Sequence, residues 1–552
     1  MGHRTSLCAA LVCLLAAAAV FLGGCGAAAP PQPPAPTGTL RWSLEGVSDI
    51  TRLDPARLGG NQANIPVYLI FGGLVRINDK LEIVGEGAER WQISDDGTVY
   101  IFSLRRNLRY GNGDPVTAQQ VAASLARAVA PATGTSFALT FLQHVVGAKE
   151  VAEGKATSIA GITALNDSTL QITLDSPRGY FLSQLTYGLM FLSPPAIGEG
   201  DAWLSQAYGT GPFRVKSREP GRSLVLEGNP FYWAGQPGLA EVHFAFYPTT
   251  DAALTAYLAG EVDVMGSQQA GVPAARLGEV SGRPGFQTVN TTVTRYVGMN
   301  NALPPFNNVF VRQAFAQAVD KEDLARRVLG GTVSPAERIL PRGFPGSEQA
   351  IEPLRFDPVG ARASLGLAGY VSGNDLPPIT LTFDQGDKDL VAVAETLQQG
   401  WADTLGVDVR LDPVPVDVLI ERLDAMIVNP SDPATAMQLY ISVWGADYPD
   451  PQNFLSLMLH SGSPYNNGHW SSAEFDTLVD EADRLSAERG QSERYQRYRD
   501  AEQLAVREVG WLPLYHPQVT LAIRPTVKGL VPTVTPQGIV AADWTQVRIE
   551  QQ

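Results

Sequence analysis

MQLYISVWGADYPDP, residues 437–451, sets a run fit for a buried strand directly against an acid, two aromatic rings and two prolines. From Met437 to Trp444 the side chains are mostly apolar, with the β-branched and aromatic types that suit a strand covered on both faces. Pro449 and Pro451 lack the N–H that a further strand residue would donate, so the strand ends before them. Residue type alone leaves Asp447 two readings. It caps a turn, as Asp before Pro often does, with Trp444 in the core; or it is a fixed anion at the end of a strand that edges a cleft.

Outward from this run, strands and helices alternate with Gly and Pro punctuation, the pattern of a layered α/β architecture. TLRWSL at 39–44 alternates like a strand. In WQISDDGTVYIFSL, residues 91–104, Asp96-Gly97 predicts a two-residue hairpin turn, with Trp91 and Ile93 on one side. TAQQVAASLARAV then opens with Thr117 and carries Gln120 three residues on, a capping box in which each side chain bonds a backbone N–H left free at the helix start. Val121, Leu125 and Val129 line one face of that helix. VFVRQAFAQAVDKEDLARRVL, residues 309–329, behaves similarly, with Val311, Phe315 and Val319 inward and Asp320 placed to recap the chain before Lys321.

At 552 residues the chain exceeds the roughly 250–300 at which single cores stop growing, so at least two domains are expected. An apolar content of 44%, with 9 Trp, 17 Tyr and 20 Phe, places it among globular proteins. The formal charge of −15 excludes a phosphate-tracking, nucleic-acid-binding surface and reads as a solvated acidic exterior. No hydrophobic stretch after Thr39 reaches spanning length, which predicts a soluble body.

The first 25 residues read as an address. His3 and Arg4 precede an apolar run from Leu7 to Leu22, and Leu22-Gly23-Gly24-Cys25 closes it with small residues. This closure resembles a bacterial lipobox, which implies cleavage before Cys25 and acylation of its thiol; an uncleaved anchor or a plain secretion signal are the other readings. The only cysteines are Cys8, Cys13 and Cys25, so the processed chain keeps no thiol for a disulfide within its folded body. GAAAPPQPPAPTG, residues 26–38, reads as an extended tether.

Catalytic spacings are missing. The sequence has no Gly-x-Ser-x-Gly elbow, His-Glu-x-x-His helix or Walker loop, and His144, His243, His460, His469 and His516 form no pair at helical ligand spacing. GNGD at 111–114 lacks the further Gly and the Lys-Ser/Thr of a phosphate loop and reads as a turn. Glycosidase chemistry needs only two carboxylates, and 56 acidic residues leave that reading open.

Nine stretches, in order, resemble one family along nearly the whole processed chain: the extracytoplasmic solute-binding proteins of ABC importers, in the large peptide-binding group. They include Leu53-Asp54-Pro55, LIFGGLVRI at 69–77, SDDGTVYIFSLRRNLRYGNGDPVTAQQV at 94–121, GTGPF at 209–213 and NPFYWAG at 229–235. LAGEVDV at 258–264, YVGMNN at 296–301, PPFNNVFVRQAFAQAVDKEDL at 304–324 and WGADYPDP at 444–451 complete them, with AEQLAVREVGWLPLYH beyond. Gln119-Gln120 departs from the acidic pair that similar proteins often carry; Gln still serves the capping box.

The resemblance implies an α/β, two-lobed fold of the periplasmic-binding-protein type II kind, with a subdomain inserted in the first lobe and two hinge crossovers. The expected layout is a signal peptide over 1–24, a tether over 25–38, lobe I over 39–295 with its insertion at about 78–205, lobe II over 296–515, and a return to lobe I over 516–552. Crossovers are expected near Tyr296–Asn301 and Trp511–Pro517, with Asn300 and Asn301 as hinge residues. Implied partners are a peptide, two permease subunits and their ATPases, and the membrane through the lipid anchor, on the extracytoplasmic face of a bacterial cell. No cofactor, metal, nucleic acid or enzymatic activity is implied, and the chain is expected to act as a monomer. Within the same family a sugar, nickel chelate, haem or opine is an alternative cargo, and signal-peptide sensing an alternative role.

For a peptide cargo the invariant handles are the backbone and the terminal ammonium. Strand addition satisfies the first whatever the side chains, and a fixed anion satisfies the second. Carried over by resemblance, Asp447 holds the ammonium, Val443 and Gly445 pair with the peptide backbone, and Trp444 and Tyr448 stand at the wall. Gly60, Asn61 and Gln62 form the opposing backbone ledge, and Phe137 an aromatic wall in lobe I.

Overall fold

The computed structural model describes residues 38–58, 65–135, 137–267, 270–486, 490–532, 539–541 and 543–550. The address segment, all but the last residue of the tether, and Gly60, Asn61 and Gln62 lie outside these residues.

The strand predicted at the opening motif forms as Leu439–Gly445, within a mixed sheet of 12 strands among the described residues. From one edge the order is Val409–Val414, Ile379–Asp384, Leu439–Gly445, Val293–Met299, Leu512–Ile523, Val264–Met265, Thr39–Glu45, Glu241–Tyr247, Ser223–Gly228 and Phe213–Glu219. Two further strands, Phe286–Asn290 and Val333–Pro335, pair with Leu512–Ile523 off this path. Both faces of its first half, Leu439 to Ile441, are covered, which explains the apolar run there, while Val443 is exposed. Leu439 and Ile441 pack into a core with Phe315 and Trp401, while Tyr440 enters another with Tyr296 and Phe454.

Leu512–Ile523 runs through both halves of the sheet. Its first residues, Leu512 to Tyr515, pair with Val293–Met299, and Gln518 to Ala522 pair with Phe286–Asn290. Where the chain passes from Asn290 to Val293, the N–H and hydroxyl of Thr291 donate to the Pro517 carbonyl at 3.0 and 2.9 Å. The two passages between the halves of the sheet therefore lie side by side.

A separate four-stranded antiparallel sheet, ordered Ala88–Ile93, Val99–Leu104, Thr169–Thr173, Ile162–Asn166, builds its own core around Phe102, Val121, Leu125 and Phe141. The predicted hairpin turns at Gly97, whose φ of 73° suits a residue without Cβ. The predicted capping box is present at helix Ala118–Val129: Gln120 N–H donates to Thr117 Oγ1 at 3.3 Å and Thr117 N–H to Gln120 Oε1 at 2.9 Å. Helix Val309–Gln317 buries Val311 and Phe315, and Asp320 accepts from Asp323 N–H at 2.9 Å to restart the chain at Lys321. No described helix is long and apolar enough to cross a membrane.

Candidate functional site

Five of the seven residues of the Leu439–Gly445 strand have an open edge. Val293–Met299 pairs along its whole length, but on the other side Ile379–Asp384 pairs only at Leu439 and Tyr440. From Ile441 to Gly445 no described strand takes that second edge, and Val443 is 42% exposed. An unpaired row of N–H and C=O groups is a template for an added strand. At Gly445 a Cβ would come 3.2 Å from Val293 Cγ2, so a larger residue would crowd the neighbouring strand at this point.

The chain then turns, and the turn is braced from below. Asn453 takes Asp447 N–H on its Oδ1 at 3.0 Å, and its carbonyl takes Trp444 Nε1 at 2.8 Å. Asp450 caps the short helix Pro451–Asn453 and forms a two-pronged ion pair with the buried Arg494, at 2.8 and 2.6 Å. Arg494 Nη2 also donates to Tyr498 Oη at 3.0 Å, and the Tyr498 hydroxyl donates to Asp483. Gly179 N–H reaches the Asp483 carbonyl at 2.7 Å, which ties the edge of the smaller sheet's region to this brace. Capping in this turn thus falls to Asp450. Among the described residues no hydrogen bond from a backbone N–H to the Asp447 carboxylate is found; its protein partner is the Asn453 side chain.

Aromatic side chains from distant parts of the chain close around Asp447. Tyr448 is buried in the core of the smaller sheet's region, its ring 6.0 Å from Phe141 and its hydroxyl donating to Gln452 Oε1 at 2.5 Å. Phe141 stacks on Tyr187 at 4.6 Å and meets Phe137 edge-on at 5.3 Å. Trp444 lies 6.2 Å from Tyr465, whose hydroxyl is 3.4 Å from Thr140 Oγ1. Asp447, Tyr448, Trp444 and Phe137 are therefore brought into one neighbourhood, with Val443 and Gly445 leading into it. Asn300 and Asn301 are elsewhere. They follow the far end of Val293–Met299, where Asn300 N–H donates to Gln438 O at 2.9 Å and Asn301 N–H to Gly468 O at 2.8 Å, well beyond Thr291. Sequence reasoning missed Tyr68, Tyr187, Phe141, Tyr465 and Asn453. Only Asn453, six residues past Asp447 and two beyond the motif, lies close to it in sequence.

Asp447 is half-buried, and protein crowding its carboxyl deprives the charge of water. Burial pushes its pKa from 3.8 up to about 7, with the Asn453 side chain offsetting part of the rise. Burial also pushes the Tyr68 and Tyr187 hydroxyls well above the usual phenol range, and the nearby Asp447 charge adds to both shifts. A carboxylate that ionises at this cost is one that a cation can stabilise strongly. Among the described residues no group of three or more His, Cys, Asp or Glu side chains is arranged to hold a metal.

Comparison with known proteins agrees with this architecture. Residues 82–466 match the family described as bacterial extracellular solute-binding proteins, family 5 Middle. The chain is 29% identical to the probable deoxycholate-binding periplasmic protein YgiS of Escherichia coli, over 92% of this chain and 93% of that protein. It is 27% identical to the dipeptide-binding protein DppE of Bacillus subtilis, over 90% and 89%. MppA, the murein peptide-binding protein of Escherichia coli, is 29% identical over 86% and 88%. The unliganded open form of the murein tripeptide-binding protein MppA superposes with a TM-score of 0.78 at 26% identity, covering 93% of this chain and 97% of that one. The two-lobed fold is thus that of these binding proteins, and the chain belongs to the bacterial extracellular solute-binding proteins of family 5.

Proposed function

We propose that the protein captures peptides between its two lobes, holding the terminal ammonium on Asp447 and the backbone along the open edge at Val443 and Gly445. Trp444 and Phe137 wall the first residues of the ligand, with Tyr448 packed in the core behind them rather than at the wall, and Gly60, Asn61 and Gln62 supply the facing ledge. One observation carries this reading: an unpaired strand edge leads into a carboxylate that is crowded, costly to ionise and free of backbone capping. The lobes meet at Thr291–Thr292 and His516–Pro517, and rotation there closes the cleft. A lipid on Cys25 tethers the monomer to the extracytoplasmic face of the membrane, from which it delivers cargo to permease subunits and their ATPases without catalysing a reaction. A second reading, a steroid acid or another non-peptide solute, draws on the likeness to YgiS; such a ligand lacks the ammonium and gains nothing from Asp447.

Binding follows pH in a way set by that carboxyl. An ammonium pairs with ionised Asp447, so affinity falls as pH drops through about 7. It also falls as the peptide amine, with a pKa of about 8, loses its proton at higher pH. Calorimetric titration of trialanine should show affinity greatest near pH 7.5 and about fiftyfold weaker at pH 5, with net proton release on binding at pH 6. A flat profile between pH 5 and pH 7.5 contradicts the assignment.

A further inference from the structure

Gly179 lacks a Cβ for a reason that lies in the other lobe. Its φ is outside the left-handed region, so its own backbone would accept an ordinary residue. Crowding is what forbids one. A Cβ at this position would collide with the Leu485 carbonyl oxygen and come 2.9 Å from Arg494 Nε, and the three atoms nearest to it all belong to these two residues. Gly179 is part of the small-sheet region, where Tyr100 Oη donates to the carbonyl of the preceding Arg178 at 3.1 Å. Leu485 and Arg494 come from the region of the Leu439–Gly445 strand: Leu485 ends helix Ala473–Arg484, Arg494 lies in helix Gln491–Glu508, and both helices pack into the core that holds Tyr440.

The meeting is bonded as well as close. A helix leaves the carbonyls of its last turn without a donor of its own. Gly179 N–H supplies one from across the gap, reaching the Asp483 carbonyl at 2.7 Å. Arg494 Nε donates to the Ala482 carbonyl at 3.2 Å, so the guanidinium that holds Asp450 also fixes the surface on which Gly179 sits. Tyr180 is 3% exposed beside them, and burial together with the charges of Asp483 and Asp450 holds its hydroxyl above the usual phenol range. A second contact runs the opposite way, since Tyr448 is buried in the small-sheet core near Phe141.

We propose that Gly179 is the latch of the closed protein, the point where the small-sheet region seats on the end of helix Ala473–Arg484 once the lobes have closed over cargo. The crossovers at Thr291 and Pro517 lie elsewhere, and rotation about them parts Gly179 from Asp483 while leaving each lobe's own core whole. Gly179 touches no ligand. It acts through Arg494, whose partner Asp450 caps the turn that carries Asp447, so latch and ammonium site share one brace. The latch rests on capture between two lobes and is independent of what the cargo is.

Small-angle scattering, calorimetry with trialanine and thermal melts test this on the wild type, Gly179→Ala and Gly179→Val. Without ligand, Gly179→Val should have a larger radius of gyration than the wild type, because it no longer samples the latched form. Its melting temperature should be unchanged, because neither lobe loses a contact of its own. Affinity for trialanine should fall by about tenfold or more, in proportion to the lost population of the closed form, and the ligand should no longer compact the variant. Gly179→Ala should fall between the two. Equal radii or equal affinities overturn the latch. A lowered melting temperature also overturns it, since the contact then belongs to the permanent core and not to closure. If trialanine does not bind the wild type, the peptide reading falls, and the radii and melting temperatures of the unliganded proteins alone decide the latch.

Discussion

Asp447→Asn should bind free-amine tripeptides at least a hundredfold more weakly than the wild type at pH 7.5, and should cease to distinguish them from their N-acetylated forms. Two opposite charges about 4 Å apart attract by about 4 kcal/mol at an effective dielectric near 20, and removing one member of a desolvated pair costs about 3–5 kcal/mol. The same substitution acts in the opposite direction on the unliganded protein. Burial raises the carboxyl pKa above its unfolded value, so its favourable contribution is complete below about pH 4 and is lost as pH rises through about 7. At pH 8 the ionised, unpaired group costs the fold up to about 4 kcal/mol, and Asn removes that cost. Thermal melts without ligand should therefore place Asp447→Asn above the wild type at pH 8, by a smaller margin at pH 5, and level with it only below about pH 4. A variant less stable than wild type at pH 8, with unchanged peptide affinity, assigns Asp447 a structural role instead.

Arg494→Ala should be the most damaging single change to the site's foundation, lowering stability by about 3–5 kcal/mol at pH 8. Arg494 is 1% exposed and holds Asp450 with two hydrogen bonds, while Tyr498 links it to the buried Asp483. Burial already pushes the Asp483 carboxyl up to about 6, so deleting the cation strands two carboxyls in a dry setting. Denaturant titration should show the deficit shrinking at pH 5, where the buried Asp483 carboxyl is protonated. Because Asp450 caps the turn that presents Asp447, peptide affinity should fall as well. A loss below about 1 kcal/mol at both pH values shows that the network does not brace the turn.

What was legible in the sequence was local. The run from Met437 to Trp444 declared a strand, Pro449 and Pro451 declared its end, Thr117 and Gln120 declared a capping box, and Asp96-Gly97 declared a hairpin. Each of these depends on groups only a few residues apart, so the chemistry sits in one window of sequence. Asp450 was visible in the same motif, but its pairing with Arg494 spans 44 positions, and nothing about either residue announces the other. Tyr68, Phe141 and Tyr187 reach Asp447 only once separate cores have formed and packed, and an aromatic residue reads as core until its neighbours are known.

The most direct measurement is a crystal structure of the protein with a bound tripeptide carrying a free amine. The ligand nitrogen should lie about 3 Å from an Asp447 carboxylate oxygen, with the peptide running along Val443–Gly445 as an added strand. A ligand seated between the lobes with its amine in solvent, or more than about 6 Å from Asp447, would contradict the central claim.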